Sequence, residues 1–133
     1  MINAMFTVVM LTTVIGLIAV RARKSSVRLG QVDRRYYQLM QGYEPPDTVI
    51  KSTRCLNNMF EIPMLFYVVC CLFISLSLES VLSITVAWLF VLCRAMQAYI
   101  HLGSNNVTHR MYAFGAGLVC VLVLWVVLMI QVR

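Results

Sequence analysis

Charged residues are missing from four stretches of the chain, 1–20, 62–78, 80–93 and 111–132, and the polar positions gather between them. A helix rises ~1.5 Å per residue, so about 20 apolar residues cross ~30 Å of hydrocarbon. The first and last stretches reach that length unaided. The middle two do not, and their helices must be completed by polar residues at one end. The pattern predicts an all-α protein, an integral membrane four-helix bundle with spans at about 2–21, 50–78, 80–101 and 109–132. Four spans and their connections use up the 133 residues, which leaves a single membrane domain over 1–133 and no separate soluble module.

Composition agrees with that pattern. Hydrophobic residues make up 61% of the chain and charged ones 12%, against ~45–50% and ~25% in an ordinary soluble domain. The net charge is +6 with a pI near 9.4, but nearly all of it lies beside the spans, which points to a membrane surface and away from nucleic acid. The first span has no basic residues before it and exceeds the usual apolar length of a signal peptide. Arg21, Arg23 and Lys24 follow it without a small-residue cleavage pattern, so it reads as retained. The five cysteines are odd in number, lack CxxC spacing and mostly lie in apolar runs, which argues against a disulfide framework or a metal site.

Eight of the eleven Lys and Arg residues lie between Arg21 and Arg54, and Arg94 and Arg110 flank the connection between the last two spans. By the positive-inside rule both connections face the cytoplasm, and both termini and the Glu79-Ser80 turn lie outside. The sequon Asn106-Val107-Thr108 then falls on the cytoplasmic side, where it reads as a chance match. The segment 21–50 reads as a surface connection with Gly30, Gly42 and Pro45-Pro46, interfacial Tyr36, Tyr37 and Tyr43, and a short helix about 33–40. Asp47 or Thr48 is placed to cap the second span, and Gly115 and Gly117 read as close-packing positions in the fourth. No internal repeat is present, which sets aside a small transporter.

The second span carries Arg54, Asn58 and Glu61 on one face, and the third carries Arg94, Gln97 and His101 on one face. Counted outward from the Glu79-Ser80 turn, Arg94 lies about 21 Å deep, Glu61 and Gln97 about 27 Å, and Asn58 and His101 about 32 Å. Charges at those depths must face the bundle interior or a wet cavity. Two readings stay open. In one, Arg54, Arg94 and Glu61 neutralise one another and pin helix register, with Asn58 and Gln97 bonding between helices. In the other a bound anion completes the charge, because Arg21, Arg54, Arg94 and Arg110 converge on one carboxylate. Taken singly, Arg21 and Arg110 read as snorkelling span ends and His101 as an interfacial histidine.

The run Arg54-Cys55-Leu56-Asn57-Asn58-Met59-Phe60-Glu61-Ile62-Pro63, the run from Arg94 through Gln97 to His101, and Arg110 nine residues later resemble the MAPEG family, membrane-associated proteins in eicosanoid and glutathione metabolism. Val20-Arg21-Ala22-Arg23-Lys24 is similar to the basic step that ends the first helix in prostaglandin-synthesising members. The resemblance covers all four spans. It implies a homotrimer of four-helix bundles with glutathione held between adjacent subunits near the cytoplasmic face. By position, Glu61 would take the amino group of glutathione, Arg21, Arg54, Asn58 and Arg94 its carboxylates and backbone, and Arg110 its thiolate, with Gln97 and His101 completing the binding set. Asn57, Gln97 and His101 stand where eicosanoid-processing members have arginine, histidine and tyrosine. Met111 and Phe114 replace a serine and a tyrosine. Tyr112 does not occupy the matching face. These departures point away from eicosanoid isomerase chemistry.

The expected function is therefore a glutathione-dependent transferase or peroxidase acting on hydrophobic electrophiles or lipid hydroperoxides in the bilayer, with glutathione as co-substrate and no metal. A thiol of reference pKa ~8.5 is mostly protonated at neutral pH, and a guanidinium beside it favours the thiolate, the role expected of Arg110. The short chain and bare loops point to a bacterial inner membrane. The alternative is a non-enzymatic protein of the same fold, whose anion site takes a small anionic ligand or a lipid headgroup or serves assembly only. Topology is open to direct test. A reporter fused after Arg133 should signal from the non-cytoplasmic side, and a cytoplasmic signal would overturn the orientation.

Overall fold

The first helix does not stop where its apolar run stops. In the computed structural model, which describes residues 1–42 and 44–133, α1 covers Ile2–Arg28. The basic step Arg21–Lys24 thus lies on a helix that projects beyond the apolar length. Hydropathy marks where hydrocarbon ends, whereas Ala, Arg and Lys are good helix formers and let the backbone ladder run on. The chain turns at Leu29 and Gly30, the latter at φ 66, and makes one short helix, α2 (Tyr36–Leu39). The remaining helices are α3 (Asp47–Ser75), α4 (Val81–Leu102) and α5 (Val107–Gln131). α1, α3, α4 and α5 are each long and apolar enough to cross a membrane.

Helices α3 and α4 form the middle of the bundle. α1 packs along α3 and touches α4, and α5 packs along α4 and touches α3. The buried residues of α1 within its apolar run, Ala4, Val8, Ile15 and Ala19, fall on one stripe. At the centre Phe66 of α3 stacks on Phe90 of α4, with ring centroids 4.2 Å apart, and Val69, Phe73, Ala87 and Leu124 close around them. The outward faces stay apolar: Phe6, Met64, Leu92 and Ile130 are all more than half exposed. Such faces suit lipid, since large apolar patches are rare on water-facing surfaces.

The connections show which local signals decided the helix ends. Ser80 caps α4 through a capping box with Ser83, and Asn106 caps α5 by accepting from the His109 N–H at 3.2 Å, which gives the sequon asparagine a local role. Neither Asp47 nor Thr48 caps α3. Pro46 holds the cap position with no side-chain bond, because the second proline fixes an extended entry and Asp47 becomes the first helical residue, where its charge faces the helix dipole. Asp33 accepts from the Arg35 N–H at 2.8 Å, a turn that delays the short helix to Tyr36. Tyr36 is buried and Tyr37 reaches Ser26 on α1 at 2.7 Å, while Tyr43 lies outside the described residues.

The α3–α4 turn is longer than a two-residue link. α3 ends at Ser75, Ser77 takes φ 54, and the Leu78 N–H returns to the Phe73 carbonyl at 2.9 Å. Glu61 therefore lies fourteen residues, or about 21 Å, from the end of its helix, close to the level of Arg94 and above that of Gln97. At the same end of the bundle Glu79 pairs with the amino group of Met1 at 2.8 Å.

The two glycines of α5 differ. A methyl group on Gly117 would stand 3.7 Å from Arg94 Nε and 3.8 Å from the Phe90 ring, whereas at Gly115 nothing lies within 4 Å. Gly117 is the close-packing position. Gly117→Leu should drive α5 off α4 and cost about 1–3 kcal/mol, read as a lower thermal midpoint in detergent, while Gly117→Ala should be tolerated. Equal midpoints for Gly117→Leu and the wild type would show that α4 and α5 are not held this closely.

Candidate functional site

The spacing of Arg94, Gln97 and His101 puts all three on the inner face of α4, and all three are buried. Arg94 is wholly enclosed within one chain. Its Nη1 donates to the side-chain oxygen of Gln97, and its guanidinium carbon lies 5.3 Å from the ring centroids of both Phe90 and Phe114. Rings on two helices thus present their negative faces to one cation. Nε and Nη2 of Arg94 are buried and have no hydrogen-bond partner among the described residues. Phe114, which lacks the hydroxyl of a tyrosine, supplies a ring here instead.

A second cluster lies one to two turns further along. Arg110, at the start of α5, is half-buried, and its Nη1 meets His101 Nε2 at 3.0 Å and Asn105 Oδ1 at 2.9 Å. Asn105 takes φ 52, a conformation that asparagine tolerates better than most residues, and its N–H bonds the Ile100 carbonyl at 2.7 Å. Gly103 lets the loop fold back, since a methyl group there would meet the Tyr99 carbonyl oxygen at 3.0 Å. Asn105 was not among the residues the sequence singled out. Its signal is the short Gly103-Ser104-Asn105 link, which carries an αL-tolerant polar residue five positions before an arginine.

The other candidate residues lie on the outside of the single chain. Arg21, Arg54 and Glu61 are exposed and Asn58 is half-exposed. Asn58 donates to the Arg54 carbonyl at 2.9 Å, which spends one of its N–H groups within α3. Glu61 is near enough for its charge to act on Arg94, and Arg54 near enough to act on His101. Yet among the described residues neither Arg54, Arg94 nor Arg110 makes an ion pair with Glu61. Arg21 lines a groove of about 690 Å³ with Ser25, Asp47 and Thr48, between the end of α1 and the first turn of α3. On another face of α5, Cys93, Met96, Ile100, Tyr112 and Ala116 line a mostly apolar groove of about 410 Å³. The five cysteines are free thiols.

Four apolar helices, with a buried arginine between two rings and further cations without ion pairs among the described residues, define an integral membrane helical bundle. The family model described as MAPEG family matches residues 1–130. The chain belongs to the MAPEG family, which includes glutathione transferases and related proteins. No curated protein and no solved structure matches it.

The enclosure of Arg94 has a measurable consequence. Arg94→Ala strands the Gln97 oxygen and opens a void between the two rings, so it should destabilise the folded protein by about 3–5 kcal/mol. Arg94→Met fills the space with an apolar chain and should cost clearly less. Thermal unfolding in detergent reads both. Equal losses would mean that the charge, rather than the packing, holds α4 to α5.

Proposed function

We propose that this protein is a glutathione-dependent transferase or peroxidase acting on hydrophobic electrophiles or lipid hydroperoxides that partition into the bilayer. The observation that carries the reading is the unbalanced charge among the candidate residues at one end of the bundle: Arg21, Arg54, Arg94 and Arg110 stand with one candidate carboxylate, Glu61, and none of them pairs with it among the described residues. Glutathione carries two carboxylates and one ammonium at neutral pH. Arginines suit the carboxylates through paired N–H donors, and one glutamate suits the ammonium. In this reading Glu61 takes the amino group, Arg21, Arg54, Asn58 and Arg94 with Gln97 and His101 form the wall that holds the peptide, and Arg110 faces the thiol. The thiol proton passes to water, the sulfur attacks the electrophilic carbon, and the bond to the leaving group breaks as the C–S bond forms.

The exposure of Arg21, Arg54 and Glu61 on a single chain supports assembly. Charges on an outer helix face at the hydrocarbon margin are costly against lipid, and a neighbouring copy supplies the missing wall. We propose a site at the cytoplasmic face of a bacterial inner membrane, in a homotrimer: the charge distribution supports the orientation, the family the trimer, and the bare loops the membrane. Mass measurement in mild detergent should give the trimer. A folded protein that remains monomeric would remove the intersubunit site.

One observation favours a second reading. Arg110 already has two protein partners and no neighbouring hydroxyl from Met111 or Phe114, which also fits a binding protein for an anionic ligand or lipid headgroup. Calorimetric titration with glutathione separates the two. Glu61→Gln should weaken binding by about tenfold or more, the loss of one charge-assisted hydrogen bond. Arg110→Met should leave binding within a few-fold but suppress the ultraviolet absorbance of the bound thiolate. Bound glutathione whose thiol titrates near the free-thiol value in both the wild type and Arg110→Met, or wild-type protein that binds no glutathione, would favour the binding-protein reading.

A further inference from the structure

The cluster around Arg110 has a chemical asymmetry that the family assignment does not contain. A guanidinium has five N–H donors and no acceptor. Both N–H groups of Nη1 are engaged, one by His101 Nε2 at 3.0 Å and one by Asn105 Oδ1 at 2.9 Å. Nε and both N–H groups of Nη2 make no hydrogen bond within the described residues. The two partners share a further property, in that a neutral imidazole and an amide both accept a hydrogen bond without carrying negative charge.

From this we infer that His101 and Asn105 act as a neutral two-point clamp that fixes Arg110 by its Nη1 end and leaves its full positive charge and its remaining N–H groups for an incoming thiolate. A carboxylate in either place would hold the guanidinium as firmly and cancel the field that stabilises a thiolate. The inference rests on the glutathione-dependent reading above and gives His101 and Asn105 positioning roles there.

The geometry fixes the proton on the ring. Because Arg110 only donates, Nε2 of His101 must offer its lone pair, so the hydrogen lies on Nδ1. Nδ1 is buried with no partner among the described residues, so the ring keeps this tautomer at the expense of an unmet donor. Protonation of Nε2 would set a donor against a donor. The charged groups that bear on the ring are Arg110 from α5 and Arg54 from α3, both cations. The two-point clamp therefore exists only with a neutral ring, and Arg110 is left held by Asn105 alone when His101 takes up a proton.

The test uses the full chain in detergent or nanodiscs. It has two histidines, His101 and His109, so nitrogen NMR of protein labelled at histidine reads the ring without any thiol present. His101 should show the Nδ1–H tautomer in the wild type and lose it in Arg110→Met. With glutathione bound, Asn105→Asp keeps the shape and the acceptor but adds a charge, and thiolate absorbance at neutral pH should fall up to about tenfold, one pKa unit for the bound thiol. His101→Gln retains an acceptor and should preserve most of the absorbance per glutathione bound, whereas His101→Phe should lose it. Asn105→Gly, which suits the left-handed backbone, should fold normally and behave like His101→Phe. An Nδ1-unprotonated His101, a tautomer unchanged by Arg110→Met, or undiminished thiolate in Asn105→Asp would each overturn the clamp. Failure of the wild type to bind glutathione would instead remove the proposed function, while the ring tautomer still decides the pairing.

Discussion

A guanidinium holds its charge at any pH a cell reaches, and inside a helical bundle it has no bulk water to share that charge with. Arg94 meets this constraint with two aromatic faces and one amide oxygen. Much of the bundle's centre follows from that arrangement. Phe90 can face the guanidinium while stacking on Phe66, which ties α3 to α4. Phe114 faces it from α5 while Gly117, one turn on, lets the two backbones approach. A single cation thus ties α4 to α5, and the Phe66–Phe90 stack joins α3 to the pair.

The chain offers the same side chain three different surroundings. Arg94 is sealed within the bundle, Arg110 is half-open and held at one end, and Arg21 and Arg54 stand on the surface. Electrostatic interaction strengthens as water is excluded, so these positions differ in what they do to an approaching anion. A sealed guanidinium with satisfied aromatic contacts stiffens the wall of a site. A half-open one with free N–H groups acts on a charge brought next to it. Exposed ones attract and orient, at strengths that salt reduces. This grading suits the proposed chemistry, in which one end of a peptide is recognised and its sulfur is activated at another point. Glu61 extends the scheme with the opposite sign: it lies at the level of Arg94 and makes no ion pair with the cluster's arginines.

The sequence by itself determined the four spanning helices, because apolar runs of membrane length have only one way to satisfy their backbone without water. It determined that Arg94, Gln97 and His101 share a face, since spacings of three and seven do so in any α-helix. It carried the family, through the arginine, asparagine and glutamate of the second span. The Ser80 cap was not foreseen, although Ser80 with Ser83 is a local pattern.

Only the tertiary structure decided which arginine is enclosed. Hydropathy and counting give depth and face along one helix, but what stands opposite depends on the rotation of its neighbours. Arg94 meets Phe114, and Arg54 meets no carboxylate, for that reason. The extension of α1 to Arg28 escaped the pattern because a helix needs backbone bonds, not apolar side chains, to continue past the hydrocarbon. Asp47 lost its cap to the rigid backbone of Pro46. Gly117 and Gly115 look alike in sequence, and only packing against α4 tells them apart. The link Gly103-Ser104-Asn105 marks a tight turn, but that Asn105 reaches Arg110 is decided by the left-handed backbone there, where a few ångströms in space set which atoms meet.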